Sequence, residues 1–489
     1  MKEKIKKIDW VNLLKPLFII ASIMYATPSI IYMVKNKTVQ NFDQYFKFFL
    51  NDSDRLEQTL VYILILAVLT ILYFLIIKNK DKLFKNIKEM YIFIGISAAI
   101  YILVIPFMCS DVFYYLGIGR IDSKYGQNPY YTTITQFVEN GENSKYLDED
   151  TVLAQGAVND WADTTVVYGP VWTLICKIVS GITFGNINFA LFVFKLISVI
   201  LHLINCYLIY KITKKKIFVL IYGLNPFMML EGIVSVHNDL YVVTFVLLSL
   251  YFLLKRKNIV LSVLFLALAT SIKYFTILLL PFIIIYYFRN EKPLQKFKNC
   301  IIYGILFAIF VLITYLLYVQ DWTVLMGLFT QQEKFAKNFY IILMEYFQTI
   351  PNVVEIVNKT LLIGFVIIYF FTCVTLLNKK QIKFREQMNI VNYFLLAFIF
   401  LLITNFQPWY LMWLMPIVMW QKPNSVRLMI EILIVSQFAN SIFLLNGEGW
   451  KNGTPFTFAM VLGILICVLI NQKREIISRK RRIRRLNNG

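Results

Sequence analysis

Residues Tyr168–Phe184 read YGPVWTLICKIVSGITF, and the topology of the whole chain turns on whether this stretch crosses a bilayer. It is apolar enough to do so. It also opens on Gly169-Pro170 and carries Lys177, which suits a short helix lying at a membrane surface. The basic residues decide between the two, because Lys and Arg collect at the cytoplasmic ends of spans. If the stretch does not cross, the basic clusters at 1–15, 78–88, 211–216, 255–257, 289–298, 379–385, 422–427 and 473–485 share one side. They hold 35 of the 49 Lys and Arg. If it crosses, 25 of these change sides. The charge pattern therefore predicts a half-inserted or surface-lying helix. The neighbouring run 189–210, which carries Lys195 and His202, is the other segment that could fail to span.

Outward from this stretch, fourteen apolar runs recur between 17–34 and 454–471, many near the 20 residues or so that a crossing helix needs. The 489 residues are 58% hydrophobic and 16% charged. A soluble domain is nearer half apolar and a quarter charged, so a cytosolic enzyme, a disordered chain and a disulfide scaffold are all excluded. The net charge of +21 would point to nucleic acid in a soluble protein. No zinc-finger or RNA-binding signature accompanies it, and no nucleic-acid partner is expected. Cys109, Cys176, Cys206, Cys300, Cys373 and Cys467 are scattered without a CxxC pair and read as small buried hydrophobes. Two His exclude a His-rich metal site. The basic segment 1–15 and the apolar run after it lack an Ala-x-Ala-like cleavage site, which reads as a retained first span.

The expected architecture is all-α: one polytopic membrane domain over 1–489, about fourteen transmembrane helices, both termini cytoplasmic. Two long segments fall outside, at 108–188 and 320–359. The first holds Asp122, Glu139, Glu142, Asp148, Glu149, Asp150, Asp160 and Asp163 among Tyr, Trp, Gly and Pro, and reads as a folded extracytoplasmic loop with a partly inserted helix. Residues 473–489 read as a basic cytoplasmic tail.

Several polar residues interrupt apolar sequence on that outside face. Asp111 follows Cys109-Ser110 at the end of an early span and leads through Tyr115 to Gly119-Arg120. A carboxylate at such an exit is partly desolvated, which raises its pKa toward that of a general base. Turn-forming clusters with aromatics follow at Tyr125–Tyr130, Asn159–Trp161 and Tyr168–Trp172. Asn225-Pro226 opens a broken run leading through Glu231 to His237, Asn238 and Asp239. Lys273 sits between two short apolar runs, a basic residue on the acidic side, which fits an anionic partner such as a phosphate. Asn405–Tyr410, with Gln407, Trp409 and Tyr410, suits a pocket wall or an interfacial belt equally.

In this order the pieces resemble the GT-C superfamily of integral-membrane glycosyltransferases, and most closely the bacterial polyprenyl-phosphate-mannose-dependent mannosyltransferases. The residues that carry the resemblance are Asp111 to Arg120, Gly126 to Tyr130, Tyr168 to Trp172, Asn225-Pro226 and His237 to Asp239, with Lys273 and Trp409-Tyr410. It covers roughly 90–420. A Ser-Asp exit without a second adjacent acid departs from a D-x-D metal site, so a divalent metal is left open but not indicated. The resemblance implies transfer of a hexose, usually mannose, from a polyprenyl-phosphate sugar to a hydroxyl acceptor on the extracytoplasmic side. The acceptor would be a glycan, a glycolipid or another hydroxyl compound of the cell envelope. Asp111 would be the base of an inverting displacement. Lys273 and Arg120 would hold the donor phosphate. His237, Asn238, Asp239, Tyr168, Trp172, Trp409 and Tyr410 would bind sugar or acceptor. The rival classes are a lipid-linked sugar flippase or transporter, which calls for polar residues spread through the midplane and inverted repeats, and a polysaccharide polymerase or ligase.

Overall fold

A computed structural model describes residues 10–36, 54–325, 353–403, 406–446 and 454–487. Among them there is no strand; the chain is a sequence of helices joined by short turns. The longer ones are α1 Leu14–Asn36, α2 Arg55–Lys78, α3 Ile87–Ile100, α4 Asp111–Ser123, α5 Pro170–Ile182, α6 Ile187–Thr213, α7 Lys216–Gly223 and α8 Asp239–Tyr251. They continue as α9 Ile259–Thr270, α10 Pro293–Tyr315, α11 Val353–Asn378, α12 Phe384–Ala397, α13 Pro423–Ala439 and α14 Thr454–Asn487.

Six helices among the described residues are long and apolar enough to cross a bilayer: Trp10–Asn36, Arg55–Lys78, Ile187–Thr213, Pro293–Tyr315, Val353–Asn378 and Pro455–Arg474. The pair Lys216–Gly223 and Pro226–Val234, bent by 56°, makes a seventh if counted as one broken span. Their outward faces are apolar. On α11 only Leu376 is buried, while Leu362, Ile363, Val366, Phe370 and Phe371 lie exposed. Such faces are untenable in water and natural in lipid. The chain is a multi-pass membrane protein.

The expected count of about fourteen spans is not confirmed among the described residues. The runs 258–272, 274–288 and 409–421 fold as short helices, Ile259–Thr270, Tyr274–Tyr287 and Pro408–Val418. The run 239–254 becomes α8, of whose 13 residues ten are buried against protein. An apolar run signals burial, and hydropathy does not say whether lipid or another helix does the burying.

The segment 108–188 is folded as a packed helical unit: α4, then Ile134–Glu139, Tyr146–Glu149, Thr151–Ala157 and α5. With 13 residues, α5 rises about 20 Å, short of the roughly 30 Å hydrocarbon layer. One face is buried through Trp172, Cys176 and Ser180, while Ile178 and Ile182 point outward. It packs closely on α4. Ser180 Oγ donates to Leu116 O at 2.6 Å and Lys177 pairs with Asp122 at 2.6 Å. A Cβ on Gly119 would meet Cys176 O at 2.2 Å. Gly119→Ala is therefore expected to lower stability by about 1–3 kcal/mol, read as a lower thermal midpoint of the purified protein. An unchanged midpoint would mean that α4 and α5 do not touch there.

Residues 473–487 continue α14 as helix; Arg474 pairs with Glu431 at 2.7 Å. Most of the outside segment 320–359, and Asn405, lie outside the described residues.

Candidate active site

Asp111 is the first residue of α4, where the unpaired backbone N–H groups of a helix start favour a negative charge. It is 8% exposed. One turn on, Tyr115 Oη donates to Asp111 Oδ2 at 3.3 Å. Burial pushes the Asp111 carboxyl above its ordinary range, with Cys109, Lys273 and Tyr115 opposing. Just before α4, Asn159 Nδ2 donates to Ser110 O at 2.9 Å and anchors this corner.

The broken run supplies the opposite wall. Asn225 Oδ1 accepts from the Phe227 N–H at 3.0 Å, and Pro226 occupies the first helical position, so the chain restarts at a new angle. Glu231 lies in the π-helical turn Leu230–Val234. Val236 then adopts φ 56°, a left-handed conformation that a β-branched residue rarely takes, and the chain turns sharply into His237. Asp239 opens α8, so two carboxylates, Asp111 and Asp239, each sit at a helix start. His237 stands between acids: Nδ1 is 3.7 Å from Asp111 Oδ2 and Nε2 is 3.2 Å from Glu231 Oε2. Neither nitrogen makes an aligned hydrogen bond. The ring stacks on Trp409 with centroids 3.8 Å apart. Burial, aided by the Lys273 charge, holds the imidazole below its ordinary pKa. Glu231 is held in turn by Asn440 Nδ2 at 2.9 Å.

Lys273 completes the cluster. Its Nζ donates to both Asp239 oxygens, at 2.8 and 2.9 Å. Trp413 Nε1 donates to the same carboxylate. The ammonium lies over the rings of Tyr410, Trp413 and Tyr168, at 4.7, 5.5 and 6.0 Å, a cation–π cage. Tyr168 is delivered there by the Gly-Pro step that follows it. Gly169 N donates to Ile272 O at 3.1 Å and Val171 N to Ser271 O at 2.9 Å. A Cβ on Gly169 would lie 2.3 Å from Ser271 O, so only glycine lets these backbones meet, and Pro170 then starts α5.

The structure thus brings together Asp111, His237, Asp239, Lys273, Tyr168, Trp409 and Tyr410. Asn238 joins them fully buried, with both side-chain polar atoms unpartnered. Trp172 is fully buried and packs edge-on against Tyr115 and Tyr241, at 5.0 Å each. Arg120 stands apart, nine residues and about 13 Å along α4 from Asp111. Its guanidinium pairs with Asp150 at 2.5 Å and donates to Ser180 O at 3.3 Å. It is engaged in tying α4 to α5 and to the turn before Thr151.

Four further residues complete the site. Tyr115 could have been found as the residue one helical turn after Asp111, and Trp413 as four residues after Trp409. Glu231 had its signal as an acid in an apolar run. Cys109 had none; it reads as one buried thiol among six. Its sulfur, an Asp111 oxygen and a His237 nitrogen lie within 4.8 Å of one another, a donor set able to take a zinc-like cation.

Residues 17–289 match the model of the MptA_B family, described as alpha-(1->6)-mannopyranosyltransferase, N-terminal domain. The chain belongs to this family. No curated protein and no solved structure matches it. The matched region includes Cys109, Asp111, Tyr115, Glu231, His237, Asp239 and Lys273, so most of this mannosyltransferase's polar cluster lies within the family domain.

Proposed function

We propose that the protein transfers mannose from a polyprenyl-phosphate sugar to a hydroxyl acceptor on the extracytoplasmic side, with inversion and with Asp111 as the base. The observation that carries this reading is the pairing of a buried carboxylate, raised above its ordinary pKa, with a caged lysine in one cluster. Asp111 takes the proton of the acceptor hydroxyl. The acceptor oxygen bonds to the anomeric carbon as the bond from that carbon to the phosphate oxygen breaks, and the lipid phosphate leaves as a dianion. A single carboxylate acting opposite the leaving group gives inversion.

An ammonium has three N–H donors. Two of those on Lys273 are used on Asp239, and the third is left for a phosphate oxygen, where it would stabilise the charge of the leaving group. His237 and Asn238, whose side chains lack aligned partners, would bind sugar hydroxyls. Trp409 offers an aromatic face, already stacked on His237. A transporter would spread its polar groups along several helices at mid-depth; here they gather at the starts of α4 and α8 and the turns beside them.

The test of the donor uses the purified chain with polyprenyl-phosphate mannose and a panel of mannoside acceptors. Polyprenyl phosphate is expected to be released only when acceptor is present. Turnover of a nucleotide-sugar in its place would refute the lipid donor. Sidedness is tested with Ser144→Cys and Lys215→Cys, both exposed positions. In intact cells an impermeant thiol reagent is expected to label the first and spare the second. The reverse pattern would invert the topology.

A further inference from the structure

The other buried or nearly buried cations among the described residues are accounted for. Lys273 pairs with Asp239 and Arg120 with Asp150. Lys296 donates to Leu377 O and Lys379 O. Lys195 differs. It is 2% exposed and, among the described residues, makes neither an ion pair nor a hydrogen bond. It lines a groove of about 400 Å³ with Ile30, Met33, Leu103, Ile105 and Leu191. The lining comes from the last turns of α1, the turn after α3 and the first turns of α6. Ile105 precedes Asp111 by six residues, so the groove lies at the active-site end of these helices. Its mouth carries Val34, Leu103 and Phe192, apolar and exposed, and therefore faces lipid.

The depth of Lys195 follows from helix geometry. The 27 residues of α6 rise about 40 Å, so against a hydrocarbon layer of roughly 30 Å each end overhangs by about 5 Å. Lys195 is eight residues from Ile187, about 12 Å along the axis, and so about 7 Å inside the apolar layer. A lysine stem reaches about 6 Å, which brings the ammonium to the level of lipid headgroups. A lone cation in hydrocarbon is costly. The anion available at that depth is a lipid phosphate.

We propose that this groove binds an anionic phospholipid, the headgroup phosphate on Lys195 and the acyl chains along Ile30, Met33 and Leu103. The site is independent of the transferase chemistry.

The test is native mass spectrometry of the full-length protein incubated with phosphatidylglycerol or phosphatidylcholine. Wild type is expected to retain phosphatidylglycerol with roughly tenfold preference, because phosphatidylcholine carries the same phosphate but its own quaternary ammonium offsets the charge that Lys195 would meet. Lys195→Met should abolish the preference and Lys195→Arg should keep it. Lys195→Met removes a charge that has no protein partner and is expected to fold as wild type does, shown by an unchanged thermal midpoint in phosphatidylcholine. Equal retention of the two lipids by wild type, or an undiminished preference in Lys195→Met, would overturn the proposal. So would displacement of phosphatidylglycerol by equimolar polyprenyl phosphate, which would make the groove a carrier-lipid site, or by millimolar inorganic phosphate.

Discussion

Asp111→Asn is expected to slow mannosyl transfer by about 10²–10⁴-fold, the usual contribution of a general base. The substitution keeps the shape of the side chain and its contact with Tyr115 Oη. It removes one negative charge at the start of α4, which costs about 0.3–1 kcal/mol, so protein level and fold should survive. The loss should fall on kcat with KM little changed, because the proton moves only in the transition state. Activity within twofold of wild type would remove Asp111 from the role of base and leave its position between Cys109, Tyr115 and His237 without a catalytic meaning.

Lys273→Met has the second large effect, and it acts on two levels. The lysine is bidentate on a fully buried Asp239. Breaking such a pair from one side strands the carboxylate and costs about 3–5 kcal/mol. Replacing both partners, as Lys273→Met with Asp239→Asn, removes both charges, and most of the lost stability should return. Transfer should not return with it. The leaving phosphate would still lack its cation, at a cost of about 10²–10³-fold. Thermal midpoints and turnover of the two single variants and the double variant form a cycle that separates the roles. A double variant that regains both stability and turnover would show that Lys273 serves only to neutralise Asp239.

Neither effect could be sized from sequence, although both residues were visible there. Asp111 and Lys273 stand out as charges interrupting apolar runs, and the family domain contains both. Their neighbours were harder to read. Asp239 reads from sequence as a sugar ligand beside His237, and in the structure its carboxylate accepts from Lys273 and Trp413. Arg120 lies in the motif with Asp111, yet nine residues of helix carry it away to Asp150. Cys109 carried no signal of its own and sits against Asp111.

The broken run behaved differently. Asn225 caps, Pro226 starts a helix, and the 56° bend follows. Such signals act over two or three residues and can be read locally. The same holds for Gly169-Pro170: proline sets the start of α5 wherever that helix packs.

The sequence alone was enough to establish a helical chain made for a membrane, with its breaks at Asn225-Pro226 and Gly169-Pro170 and its few costly polar groups at Asp111, His237, Asp239 and Lys273. Those properties depend on composition and on neighbours along the chain. Only the tertiary structure decided which apolar runs face lipid and which face protein, because transfer out of water favours both alike. It also decided the ion pairing. Lys273 finds Asp239 across 34 positions and Arg120 finds Asp150 across 30, and partners at such separations are chosen by packing rather than by local preference.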